Sequence, residues 1–137
     1  MTFSKKAILL SGILLCAFVQ LGAQVRQTRE EYINRYMPIA IAHMERYGIP
    51  ASITMAQGIL ESDCGNSLLS MKSNNHFGIK CKRNWTGEKV YHDDDAKGEC
   101  FRSYPSVEAS YRDHAEFLDS QPRYDSLFAY SPTDYKS

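Results

Sequence analysis

The stretch from residue 77 to residue 104 constrains the fold most, because it breaks a helical pattern that holds on both sides of it. Short β-like pieces alternate there with turn residues such as Asn84 and Gly87. The pieces cover residues 77–81, 89–92 and 100–104. Apolar residues at helical spacing fill the flanks. A small antiparallel sheet between helices predicts an α+β domain, with a helical lobe, a small β lobe and a cleft between them.

Several residues mark the ends of the flanking helices. Thr28 begins a capping-box pattern that starts the first helix. Pro38 is expected to interrupt it, because proline is poorly tolerated inside a helix, so a kink and a second helix are predicted before Gly48. Pro50 opens the next helix, and Ser106 caps the last one.

The N-terminal segment differs from the rest of the chain. Lys5 and Lys6 precede an uncharged apolar run that ends in small residues at Ala23. This is the pattern of a cleaved signal peptide over residues 1–23, and an uncleaved anchor is the alternative. The domain would then cover residues 24–137 and be secreted or periplasmic, with no stable membrane anchor after cleavage.

Charge excludes some classes of partner. The whole chain has 16 basic and 16 acidic side chains, and removal of residues 1–23 takes away only the two lysines. The remaining chain is slightly acidic, which argues against nucleic acid or an anionic membrane surface as the partner.

The cysteine pattern favours one disulfide. Outside the apolar N-terminal run, the cysteines are Cys64, Cys81 and Cys100, which allow three pairings in an oxidising compartment. We favour Cys81 with Cys100, because both lie in pieces of the same predicted sheet, although the sequence leaves the other two open. No CxxC or HExxH pattern occurs, so neither a metal site nor a cofactor is expected.

Glu61 is the first candidate for a catalytic residue. It lies in the last turn of a mostly apolar helix, where the helix dipole disfavours negative charge and so favours the protonated carboxyl that a general acid needs. Gln57 lies one turn earlier on the same face and could orient the carboxyl or a bound sugar. The alternative is that Glu61 and Asp63 form an ordinary solvated helix end.

A second carboxylate could come from the turn at residues 93–95. Glycoside hydrolysis usually uses two carboxyl groups, and Asp94 and Asp95 are the candidates for the second. A polar turn that binds calcium loosely is the alternative. Aromatic and polar side chains near this turn could stack on sugar rings and hydrogen-bond to them. The candidates for such substrate contacts are Asn75, His76, Trp85 and Tyr104.

Three ordered motifs, at residues 50–65, 73–80 and 101–104, closely resemble the peptidoglycan endo-beta-N-acetylglucosaminidase family. Its domain is also known as mannosyl-glycoprotein endo-beta-N-acetylglucosaminidase-like or flagellar-type glucosaminidase. The likeness covers residues 28–137, and Cys81 and residues 92–100 resemble the secreted variant of Bacteroidetes-type bacteria.

The resemblance implies a lysozyme-like fold and cleavage of the β-1,4 bond after N-acetylglucosamine in peptidoglycan strands. Glu61 matches the family's catalytic acid, while Asn75, Phe77 and Gly78 match the motif that lines its cleft. The second carboxylate is then Asp94 or Asp95. A lytic transglycosylase and a non-catalytic glycan-binding module are the alternatives, and a monomer is expected.

The C-terminal end departs from the family pattern. Relatives continue past the position of Lys136 into further helix that carries an active-site tyrosine, so the domain is expected to be truncated there. Thr133 resembles the cap of another helix that starts just before the chain stops at Ser137.

Overall fold

The computed structural model describes residues 25–124 and Ser126. The predicted signal peptide and the predicted helix start at Thr133 lie outside the described residues. The order of elements is helix α1 (Arg29–Tyr47), α2 (Ala51–Ser62), α3 (Leu68–Ser73), strands β1 (Lys89–His92) and β2 (Glu99–Arg102), helix α4 (Val107–Asp119) and a 3₁₀ turn (Pro122–Tyr124). The predicted α+β class is confirmed. The helix α3 lies where the sequence showed only a short apolar run.

Helix α1 begins as expected but does not break. Thr28 Oγ1 accepts a hydrogen bond from the Glu31 backbone N–H, and the Glu31 carboxylate accepts one from the Thr28 backbone N–H, which completes the capping box. Gly48 ends the helix with a φ of 74°, a conformation that glycine adopts without steric cost. The predicted interruption at Pro38 is wrong, since α1 runs through it. Proline removes one backbone donor, and the packed face of the helix offsets that loss.

The core is an aromatic cluster between the helices. Tyr32 and Tyr36 from α1 are buried against Tyr111 from α4 and against Phe77. The rings of Tyr36 and Tyr111 stack at 5.3 Å, and Phe77 meets Tyr111 edge-on at 4.8 Å. Burying one such side chain contributes about 1.5–3 kcal/mol, so this cluster fixes α1, α2 and α4 relative to one another.

The sheet has two strands, with Lys89 opposite Arg102 and His92 opposite Glu99 in antiparallel register. The predicted strand at residues 77–81 is wrong, because only Lys80 forms a bridge, to Phe101. Its backbone is held in another way. Asn75 Oδ1 accepts hydrogen bonds from the backbone N–H groups of residues 77 and 79, and Gly78 has a φ of 62° that interrupts the extended path. The last strand also ends at Arg102, earlier than predicted.

The disulfide between Cys81 and Cys100 is present, with an S–S distance of 2.01 Å and 5.5 Å between the Cα atoms. It ties residues 77–81 to β2, and it is the pairing that the sequence favoured. Cys64 is a free, partly buried thiol. In the part of the chain that the structure describes, the helices all fall short of the length and apolarity that crossing a membrane requires.

Candidate active site

An open groove of about 270 Å³ runs along one face of the domain, and we call it the Glu61 groove. Three pieces of the chain form it: the second half of α2, the segment of residues 77–82, which we call the sheet-bound segment, and the second half of α4. The lining residues are Gln57, Glu61, Phe77, Gly78, Ile79, Lys80, Lys82, His114, Phe117 and Leu118. The groove therefore lies between the helices and the sheet-bound segment, where the cleft was predicted.

The end of α2 separates its two carboxylates. Asp63 adopts a left-handed conformation with a φ of 51°, and its two oxygens accept hydrogen bonds from Arg26 at 2.8 and 2.7 Å. The exposed Glu61 carboxylate, in contrast, makes no hydrogen bond or ion pair with residues 25–124 and lines the groove. Ser62 fastens the helix end, because its hydroxyl donates to the Gly58 carbonyl and accepts from the Gly65 N–H. The site thus presents the Glu61 carboxyl, unpaired within the described part of the chain, on a fixed helix end.

Gly78 brings the opposite wall of the groove close to that carboxyl. A Cβ atom on Gly78 would lie 3.4 Å from Glu61 Oε2, and the φ of 62° at this position disfavours any side chain. The glycine lets the backbone approach Glu61 in a conformation that other residues reach only with strain. A substrate atom bound between them would lie within reach of the carboxyl.

Gln57 is positioned by a residue that the sequence did not suggest. His114 Nε2 donates a hydrogen bond to Gln57 Oε1 at 2.8 Å, and the imidazole stacks on Phe77 at 3.9 Å between ring centroids. Burial, with a smaller contribution from His43, lowers the pKa of His114 to about 4, so the ring is neutral at pH 7. Because the Gln57 oxygen is occupied, its exposed amide presents N–H donors to the groove.

Asn75 and His76 do not line the groove. Asn75 is 1% exposed, and its side-chain N–H groups donate to the carbonyls of Ile79 and Arg102. Its Oδ1 accepts from the backbone N–H groups of Phe77 and Ile79. His76 is 3% exposed, with Nδ1 bonded to the Tyr32 hydroxyl at 2.8 Å. Burial lowers the pKa of His76 to about 4. These side chains shape the groove from inside the protein, which corrects the prediction that they contact a sugar.

Trp85 and Tyr104 also lie outside the groove lining. The Trp85 indole N–H donates to the Glu88 carbonyl, and Arg102 stacks over the ring at 4.7 Å. The Tyr104 hydroxyl donates to Asp113, and burial and that carboxylate raise the pKa of Tyr104. Both aromatic rings are therefore engaged with the sheet and α4, and the structure does not place them where a sugar in the groove would stack.

The aspartates of the β1–β2 turn are exposed and also lie outside the lining. Asp95 reaches the groove indirectly, since its Oδ2 lies 3.6 Å from Nζ of Lys80, a lining residue. The same ammonium lies 3.1 Å from Glu99 Oε2. The Asp94 backbone N–H donates to the Ala96 carbonyl. Glu99 raises the pKa of Lys80, and the Asp95 and Asp94 carboxylates add smaller contributions in the same direction. Within residues 25–124, no three acidic, histidine or cysteine side chains converge as metal ligands would.

Sequence reasoning missed six lining residues: Ile79, Lys80, Lys82, His114, Phe117 and Leu118. Lys80 ends one of the motifs, which could have marked it. The α4 residues share one helix face, which looks like an ordinary core stripe until α4 is packed against α2.

The chain matches the family model described as mannosyl-glycoprotein endo-beta-N-acetylglucosaminidase over residues 37–137. Peptidoglycan hydrolase FlgJ of Vibrio parahaemolyticus is 33% identical over 108 residues, which cover 71% of this chain and 35% of the relative. Exo-glucosaminidase LytG of Bacillus subtilis is 39% identical over 84 residues, which cover 61% of this chain and 28% of the relative. The chain thus spans about a third of the length of these curated relatives.

Solved structures show the same fold. A peptidoglycan hydrolase from Sphingomonas sp. A1 superposes with a TM-score of 0.66 and 29% identity, covering 76% of this chain and 69% of that one. The glycoside hydrolase domain of Salmonella typhimurium FlgJ superposes with a TM-score of 0.66 and 26% identity, covering 77% of this chain and 70% of that one. The lysozyme-like α+β fold is therefore confirmed. With most of its described residues inside the matched region, the chain belongs to the glucosaminidase family.

Proposed function

We propose that this protein is an exported hydrolase of peptidoglycan that cleaves the β-1,4 bond after N-acetylglucosamine, with Glu61 as the general acid. One observation carries the proposal: a carboxyl free of partners in the described chain lies on an open groove. Relatives named peptidoglycan hydrolase and exo-glucosaminidase support the substrate and the reaction class.

The groove suits acid catalysis on a sugar chain. A general acid must reach the leaving oxygen at about 2.6–3.2 Å, and Glu61 is exposed on the open groove, so a substrate oxygen can approach its carboxyl. Gln57 presents amide donors one helical turn away, which suits a sugar hydroxyl or acetamide oxygen. Phe117 and Leu118 add apolar surface for a ring face.

The second carboxylate is proposed to be Asp94 or Asp95. Asp95 is the better supported of the two, because its link to Lys80 connects it to the groove edge. Replacing each with asparagine tests this assignment. Loss of turnover in one variant, with unchanged melting temperature, would identify the residue, whereas full activity in both would refute the assignment.

Export is proposed from the pattern of residues 1–23. The disulfide supports it, since such bonds persist in oxidising compartments. N-terminal sequencing of the protein recovered outside the cytoplasm tests the proposal. A first residue near Gln24 is expected, and an intact N-terminus would contradict cleavage.

The deciding experiment is digestion of purified peptidoglycan, followed by mass spectrometry of the reduced fragments. We expect fragments ending in reduced N-acetylglucosamine from the wild type and none from Glu61→Gln. Glu45→Gln is the matched control, since Glu45 is exposed on α1 and outside the groove lining. Fragment length separates cleavage within strands from cleavage at their ends.

Other outcomes of that digestion would contradict the proposal in distinct ways. Anhydro-muramyl ends would indicate a lytic transglycosylase. Binding to peptidoglycan without any fragments would indicate a non-catalytic glycan-binding module. Fragments released equally by Glu61→Gln would exclude Glu61 as the acid.

A further inference from the structure

A second cavity, of about 310 Å³, adjoins the Glu61 groove, and we call it the Lys82 pocket. The side chains of Lys82 and Phe117 line both spaces and so form the wall between them. The Lys82 ammonium lies 4.5 Å from the centre of the Phe117 ring, in a cation–π contact that holds the wall together. The groove and the pocket therefore lie on either side of this wall.

The two spaces differ in chemistry. Among residues 25–124, four apolar side chains line the groove, whereas Phe117 alone is apolar among those that line the pocket. The pocket is instead surrounded by charged and amide groups, including Asn84, Arg102, Asp113 and Glu116. A neutral sugar needs no such charges, so the pocket suits a ligand that carries charges of its own.

Arg102 is a fixed part of this pocket. It is 9% exposed, and its guanidinium donates to Asp113 Oδ2 at 2.9 Å and to the Lys80 carbonyl at 3.1 Å while lying over Trp85. These two hydrogen bonds use two of the five N–H groups that a guanidinium offers. The pocket therefore has a rigid cationic wall whose charge is largely balanced by Asp113.

Lys82 and Glu116 supply the accessible charges. Lys82 is exposed and forms no ion pair with a residue in the described part of the chain, and Glu116 is an exposed carboxylate on α4. Lys82 also has a φ of 52°, a left-handed conformation that strains the backbone of any residue except glycine. Backbone strain of this kind is concentrated at functional sites. One accessible cation and one accessible anion in a single pocket suit a ligand with both a carboxylate and an ammonium group.

Resting on the proposed function, we propose that the Lys82 pocket binds the peptide substituent of the glycan strand whose sugars occupy the Glu61 groove. Peptidoglycan strands carry short peptides with free carboxylates and amines, which are the charges that this pocket complements. A peptide carboxylate binds Lys82 beside Arg102, and an ammonium group binds Glu116. The protein then distinguishes peptide-bearing strands from bare ones.

The test compares soluble glycan fragments that carry peptides with matched fragments from which the peptides have been removed. Binding to the Glu61→Gln protein is measured by calorimetry, so turnover does not interfere. We expect peptide-bearing fragments to bind about tenfold more tightly, roughly the effect of one charge-assisted hydrogen bond. The preference should weaken at high salt, since exposed charges are screened.

Variants then assign the preference to the pocket. Lys82→Gln and Glu116→Gln, each added to Glu61→Gln, are expected to reduce it several-fold. Lys72→Gln is the matched control, because Lys72 is exposed on α3 and lines neither space. Melting temperatures confirm that each variant is folded.

Equal affinity for both kinds of fragment would overturn the proposal, as would a preference that survives in both pocket variants. Failure of the proposed function is seen separately, as an absence of fragments from the wild-type digestion, and the affinity ratio can still be measured in that case.

Discussion

Replacing Gly58 with alanine should destabilise the protein, although alanine is the better helix former. Gly58 lies inside α2, one turn before Glu61 and Ser62. A Cβ atom there would be 2.8 Å from the Tyr32 hydroxyl oxygen and 2.9 Å from that of Tyr111. Both rings are fully buried, so neither hydroxyl can move aside without disturbing the core.

The magnitude follows from three opposing effects. Overpacking a core typically costs about 1–3 kcal/mol. The hydrogen bond from the Tyr111 hydroxyl to the Tyr32 hydroxyl, 2.8 Å long, contributes about 1 kcal/mol and would be strained or lost. The higher helix propensity of alanine over glycine stabilises the folded protein by about 1 kcal/mol. We therefore expect a net loss of about 1–3 kcal/mol, which for a domain of this size lowers the melting temperature by about 4–12 °C.

A double-mutant cycle with Tyr111→Phe tests the physical reason. Removing that hydroxyl makes room for the new methyl group, so Gly58→Ala should cost about 1 kcal/mol less in the Tyr111→Phe background. Ala56→Gly, at an exposed position of the same helix, is the control and should show no coupling. Urea denaturation of the four proteins in each cycle gives the free energies. An equal or higher stability of Gly58→Ala than of the wild type would refute the reasoning, because helix propensity would then outweigh the close contacts.

Three further predictions concern the site, the disulfide and pH. His114→Phe should keep the stack on Phe77 but lower kcat/KM up to about tenfold, since Gln57 loses the bond that orients it; unchanged kinetics would argue against that role. Reducing the bond between Cys81 and Cys100, which are 19 residues apart, should lower the free energy of unfolding by about 3 kcal/mol, measured with and without reductant. Stability should also fall as the pH drops from about 6.5 to about 4, because His76 and His114 stay neutral in the folded protein down to about pH 4 while they take up protons near 6.5 when unfolded. His114→Phe should flatten that slope, and a pH-independent stability would contradict the burial of both rings.

Features encoded within a few residues were predictable. The cap at Thr28, the glycine stop at Gly48 and the cap at Ser106 depend on side chains that bond to backbone within one turn. The pairing of Cys81 with Cys100 was favoured from their places in one predicted sheet, while two other pairings stayed open, and the structure contains the favoured one. Glu61 was singled out as a candidate because its motif is contiguous along one helix, and it lines the groove.

Features that depend on neighbours distant in sequence were mispredicted or missed. Pro38 was expected to break α1, but the packing of a whole helix face against the core decides whether a helix continues. The backbone around Gly78 was expected to form a strand, but it bonds to the Asn75 side chain instead. Asn75 itself was expected to contact a ligand, because a polar residue in a motif looks the same in sequence whether it binds a ligand or the protein backbone.

The sequence by itself determined where the capped helices begin and which motif carries the candidate acid, since each is specified by residues close along the chain. Only the tertiary structure decided that Asp63 pairs with Arg26 while Glu61 has no partner among residues 25–124. It also decided that His114 positions Gln57 from 57 residues away and that Lys82 and Phe117 separate two cavities. These relations depend on how α2, α4 and the sheet-bound segment pack together. Packing brings together residues that are far apart in the sequence, and no local sequence pattern indicates such contacts.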